Sequence, residues 1–122
     1  MEEKTMHAKA MAAIEAFLER KGFDILEEGW SRGGDSVDLV ARDRGDGDAL
    51  VLVQCAVSAG AGDGFPEERA DRAAFERLAA AYLAGLRDGS DVAVRLDCVS
   101  LIVLSDSRAF LRHHRNVLLT EG

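Results

Sequence analysis

The chain has 122 residues, 48% of them hydrophobic and 30% charged, with a formal net charge of −7 at pH 7; this fits one ordinary globular domain over residues 1–122 and argues against wholesale disorder. The acidic balance weighs against strong, unassisted DNA binding, because nonspecific nucleic-acid affinity comes mostly from lysine and arginine neutralising phosphates. No apolar run approaches membrane length, and Met1, Glu2, Glu3, Lys4 lack the basic-then-apolar order of a signal peptide, so no membrane association and a cytoplasmic location are expected.

Ala10, Met11, Ile14, Phe17 and Leu18 recur at helical spacing, and Gly22 follows as a stop, which predicts a first helix from about Thr5 to Lys21. A short strand is expected over Phe23 to Glu27. After the turn residues Ser31, Arg32, Gly33 and Gly34, the β-formers of Ser36 to Arg42 surround Asp38 and predict a second strand. The tract Asp43 to Asp48 reads as a polar hairpin turn into a central strand, Ala49 to Val57; its aspartates lack the pattern and distal glutamate of a calcium loop. Ser58 to Phe65 is glycine-rich without a phosphate-cradling motif, and reads as a loop. Phe75, Leu78, Ala79, Tyr82, Leu83 and Leu86 give a second amphipathic helix ended by Asp88, Gly89 and Ser90. Asp91 to Leu104 alternates and then becomes wholly apolar, as a strand entering the interior would. Ser107 to His114 is expected to close the chain with a short helix.

Cys55 and Cys98 lie in apolar stretches without CxxC spacing and read as buried free thiols. Arg108, Arg112, His113, His114 and Arg115 form the one dense basic cluster and read as a solvated helix face. His7, His113 and His114 show no ligand spacing with a carboxylate or thiolate. Arg95 and Asp97, two apart on one strand face, read as an ion pair.

The order helix, three strands, helix, strand is that of the PD-(D/E)XK restriction-endonuclease-like core, an α/β fold with a mixed central sheet flanked by helices. Within it the chain resembles the YraN-like uncharacterised proteins. The resemblance covers about residues 7–110, leaving 111–122 as a carboxy-terminal extension. It is carried by Phe17-Leu18-Glu19-Arg20-Lys21-Gly22-Phe23, Val37-Asp38-Leu39-Val40-Ala41-Arg42, Val51-Leu52-Val53, Tyr82-Leu83 and Arg95-Leu96-Asp97-Cys98-Val99.

That resemblance implies a Glu-Ile-Asp strand and a Glu-x-Lys strand holding a magnesium ion that activates water, with the lysine on the same face because strand side chains alternate. Here those places read Ser36-Val37-Asp38 and Gln54-Cys55-Ala56. Asp38 alone keeps a carboxylate and is the one residue offered for a metal. The helix-1 acid of the family falls near Met11, and the Lys-Gln pair opening helix 2 falls near Asp71-Arg72. Arg72 or Arg69 could replace the lysine, against the simpler reading of solvated helix arginines.

The leading expectation is therefore a catalytically inactive pseudo-nuclease that needs no cofactor and binds a nucleic-acid or protein partner. Asp38 itself can act structurally, accepting backbone hydrogen bonds or pairing with Arg95. One alternative is a magnesium- or manganese-dependent endonuclease using Asp38, Gln54, the Cys55 carbonyl and Asp35. A second is a homodimeric interaction protein with Trp30, Phe65 and Leu111 to Leu119 as contact residues.

Overall fold

A computed structural model describes residues 2–60, 71–86, 92–105 and 107–117, with side chains from residue 6 onward. The elements run α1 (Glu2–Arg20), β1 (Phe23–Arg32), β2 (Asp35–Asp43), a 3-10 turn at Arg44–Asp46, β3 (Ala49–Ala59), α2 (Arg72–Ala84), β4 (Val94–Ser105) and β5 (Arg108–His114). The strands lie in sequence order in one sheet. All neighbours are antiparallel except β3 and β4, which are parallel from Leu50↔Val94 to Ala59↔Val103. A parallel pair needs a crossover, and the segment containing α2 supplies it.

Each helix covers one face because its apolar spacing matches one parity of the strands. Ala10, Ile14 and Leu18, four apart, pack on Leu39, Ala41, Val51, Val53, Val99 and Leu101. Leu78 and Ala79 pack on the opposite parity, Val40, Leu50, Leu52 and Leu96. Strand β3 is buried on both faces from Ala49 to Val53, which is why its sequence is continuously apolar rather than alternating.

The restriction-endonuclease-like α/β core expected from the sequence is present, with one correction at its end. Ser107 to His114 is not a helix: Arg108–His114 is β5, antiparallel to β4. Leu111 packs against the α1-side core and His113 reaches buried Asp97 from the same strand. Residues two apart share a face only in extended chain, so tertiary partners decide the conformation of a segment too short to hold a helix alone. Residues 111–114 belong to β5, and after it the Val117 N–H donates to the Leu96 carbonyl at 2.8 Å. The strand expected over Phe23 to Glu27 is twice as long, continuing to Arg32 through an irregularity between Ile25 and Glu27. Trp30 stands edge-on to Tyr82, with centroids 5.2 Å apart, and packs against the α2-side core. Phe65 and Arg69, and the helix end assigned to Asp88, Gly89 and Ser90, lie outside the described residues.

Candidate functional site: the fork between β2 and β3

The β2–β3 ladder runs from Asp43↔Ala49 to Leu39↔Val53 and stops there, although both strands continue. Beyond that point β3 stays paired with β4. The fork so formed brings together the positions singled out in the sequence, with Ser36 and Asp38 on one limb and Gln54, Cys55 and Ala56 on the other.

Side chains replace the missing ladder. Asp38 Oδ2 accepts the Cys55 N–H at 2.7 Å, and Gln54 Nε2 donates to the Ser36 carbonyl at 3.2 Å. The pairing of Asp38 with Arg95 considered from sequence does not form; the other structural reading, a carboxylate taking a backbone N–H, is the one observed. Asp35, just before Ser36, receives both Arg77 Nε (2.6 Å) and Arg77 Nη2 (2.9 Å) from α2, and that guanidinium holds its carboxyl below the ordinary range. Gln54, Asp71, Val37, Leu52, Phe75 and Leu96 are among the residues lining a cavity of about 260 Å³ between the sheet and α2. Alternation puts Ala56 on the same face, where it brings no polar group.

The second helix opens on Asp71, whose Oδ1 caps the Ala74 N–H at 3.1 Å. Arg72 lies 3.7 Å from Glu76 one turn on, an exposed pair along the helix. Met11 packs into the α1-side core. The nearby helix-1 acid is Glu15, one turn later and missed in the sequence, which hydrogen-bonds to Glu28 of β1. Burial first, then that bond and the Glu28 charge, push Glu15 up to about 7. Cys55 is a half-buried free thiol. Burial raises its pKa most, followed by the charges of Asp38, Cys98 and Glu15. Cys98 is buried and forms no disulfide.

A second polar cluster lies on the α1 face where β4 begins. Arg95, 6% exposed, donates to Asp97 (3.0 and 3.2 Å), Asp43 (2.7 Å) and Asp46 (2.6 Å). Asp97 is fully buried and also meets His113 Nε2 at 2.9 Å and the Asn116 N–H at 2.8 Å. Burial by itself would raise its pKa, but His113, Arg95 and Asn116 together hold it below its ordinary value. The Arg95–Asp97 pair expected from sequence is thus one edge of a buried network that includes Asp43 and Arg115. Spacing could reveal only the two members on one strand. Among the described residues no three His, Cys, Asp or Glu side chains are grouped to hold a metal ion.

Fold and fork together define a small α/β protein with the restriction-endonuclease-like arrangement. The profile of an uncharacterised protein family, UPF0102, matches residues 11–101. A UPF0102 protein of Beutenbergia cavernae is 34% identical over 104 residues, covering 83% of this chain and 85% of the relative. One from Roseiflexus castenholzii is 34% identical over 90 residues (71% and 70%), and one from Geobacter sulfurreducens 33% identical over 103 residues (83% and 78%). The chain belongs to the UPF0102, or YraN-like, family. No helix among the described residues is long and apolar enough to cross a membrane.

Proposed function

We propose that this chain is a pseudo-nuclease, a nuclease-fold domain that has exchanged metal-dependent cleavage for binding of a macromolecular partner. The observation that carries this reading is the double strap across the fork, Asp38 to the Cys55 N–H and the Gln54 amide to the Ser36 carbonyl. A magnesium or manganese site needs several oxygen ligands, with anionic ones offsetting the cost of dehydration. Here Asp38 has one oxygen engaged, Gln54 has at most a neutral carbonyl oxygen to give, and Asp35 is held by Arg77. Ala56 and its neighbours Val57 and Ser58 provide no cation to stabilise charge at a phosphorus. The donor set therefore does not fit the ion.

Calorimetric titration of manganese into wild type and Asp38→Ala tests this, with Asp46→Ala/Asp48→Ala as a control for turn binding. The expected result is no Asp38-dependent uptake and no cleavage of single-stranded, duplex or branched DNA. Metal binding lost only in Asp38→Ala, with cleavage lost alongside it, refutes the reading and revives the endonuclease.

A further inference from the structure

We propose that the outer edge of β5 is a docking site for an acidic, extended peptide segment of a partner protein, which joins the sheet as an additional strand. The inference rests on the reading that this chain acts by binding, but it uses a surface outside the fork. Strand β5 ends the sheet, and among the described residues only β4 pairs with it. An edge strand presents a row of unpaired N–H and C=O groups, and an added polypeptide strand meets that row at its own repeat.

The two edges of the sheet are not equivalent. At β1 the register shifts between Ile25 and Glu27, and Gly29 sits at φ +68°, so the outward row is interrupted. Along β5 the register is unbroken from Cys98↔His114 to Val103↔Ala109, and the shift falls only at the turn. No proline or acidic residue guards it: from Ser107 to Thr120 there is no Asp or Glu, in a chain of net charge −7.

Within this segment the charges divide by strand face. His113 is turned inward to Asp97, and just past the strand Arg115 bonds buried Asp43. Arg108, Phe110, Arg112 and His114 share the opposite face by alternation; Arg112 and His114 are already engaged in other interactions, whereas Arg108 and Phe110 are exposed, Phe110 to 52%. An aromatic platform beside a cation, along an edge that no second described strand covers, matches a strand with alternating acidic and apolar residues. A nucleic acid would bring many phosphates against the net negative charge while leaving the backbone row unmatched. A second copy would have to offer its own acidic edge, β1, whose row is interrupted.

The test is fluorescence anisotropy of the full chain with a labelled peptide of alternating glutamate and valine, about seven residues long to match β5. Three comparison probes are the same peptide N-methylated at alternate residues, its lysine-for-glutamate counterpart, and an oligothymidylate. Binding of the acidic peptide is expected, with N-methylation or lysine weakening it at least about tenfold and Arg108→Glu weakening it about fivefold. Amide hydrogen exchange across residues 108–114 should slow on binding. Circular dichroism checks that Arg108→Glu folds, and Phe110→Ala provides a second, neutral variant expected to weaken binding. Absence of peptide binding, equal binding of the N-methylated peptide, or tighter binding of the oligothymidylate through Arg108 overturns the proposal. So does self-association abolished by Arg108→Glu. Manganese binding at Asp38 is read in a separate titration, so failure of the fork reading and failure of this one are distinguishable.

Discussion

Replacing Arg95 by methionine should be among the most damaging single changes in the molecule, and its size follows from the partners it leaves. The guanidinium donates to three carboxylates and lies 5.5 Å from the centre of the Phe23 ring. Asp46 is half exposed and returns to water. Asp97 and Asp43 cannot, having side chains 0% and 4% exposed. Removing one partner from a buried ion network costs about 3–5 kcal/mol, mostly through the charge left behind. Asp97 keeps His113 and the Asn116 N–H, and Asp43 keeps Arg115 and the Gly45 N–H, so the lower figure, about 3 kcal/mol, is expected. That is a large share of the ~5–15 kcal/mol typical of a domain. Urea unfolding followed by circular dichroism at pH 7 measures it. The sign with pH is fixed as well. In wild type, Asp97 has a folded pKa below its ordinary 3.8, so its contribution is present above that value and lost as pH falls through the folded one. In Arg95→Met the stranded carboxylates favour protonation, so the deficit relative to wild type should shrink on acidification. Adding Asp97→Asn should recover part of the loss. A deficit under about 1 kcal/mol at pH 7, or one that does not change with pH, would refute the view that buried charge left without its partner governs this region.

Glu15 has a folded pKa of about 7 against an ordinary 4.5, so the native state holds a proton that the unfolded chain releases between those values, and stability should fall as pH rises through that window. Glu15→Gln should flatten this slope and be the more stable protein at pH 8, by less than about 1 kcal/mol because the pair is partly solvated; a steeper slope in the variant contradicts the assignment. Cys55 should react with a disulfide reagent at pH 8 at least about tenfold more slowly than a free thiol, since burial and the Asp38 charge disfavour its thiolate. Labelling at the rate of a small thiol would show that the fork opens readily. Gln54→Glu removes the donor to the Ser36 carbonyl and should lower stability by about 1–2 kcal/mol. Manganese should restore part of that loss if the two limbs can still take an ion, and denaturation with and without the metal decides it.

Much of the fold was legible because its signals are local. The spacing of Ala10, Ile14 and Leu18 gave α1, and the unbroken apolar run from Ala49 gave a strand buried on both faces. The positions that meet at the fork carry no local signal of their own and were pointed to only by the family resemblance. That Asp38 could accept a backbone N–H was legible, but which groups Asp38 and Gln54 touch was not, because the Cys55 N–H and the Ser36 carbonyl come within their reach only where the ladder stops. Segment 107–114 was misread for a related reason. Its basic, mixed composition has no strong local preference, and its partners Asp97 and β4 are fixed by tertiary structure. Asp43 looked like an ordinary turn residue and is one, accepting the Gly45 N–H with Oδ1. Its Oδ2 serves Arg95 and Arg115, from much later in the chain.

Under the proposed reading, the three fork positions where the resemblance implies other residues, Ser36, Gln54 and Ala56, make physical sense as one change. Two carboxylates facing each other across an open fork repel unless a cation lies between them, and a neighbouring lysine is useful when there is charge to balance. With glutamine at position 54, the limb gains an N–H that glutamate cannot offer, and that N–H reaches the Ser36 carbonyl. Once the second carboxylate is gone, alanine at position 56 leaves no buried cation without a counter-charge. Asp38 has a reason to remain that involves no metal. The Cys55 N–H lies just past the last β2–β3 pair, and Asp38 is the acceptor that satisfies it. Losing that acceptor would leave a part-buried donor unpaired at about 1–3 kcal/mol. A carboxylate at this place is therefore no sign of chemistry by itself: in this chain Asp38 bridges the two limbs by accepting the Cys55 N–H.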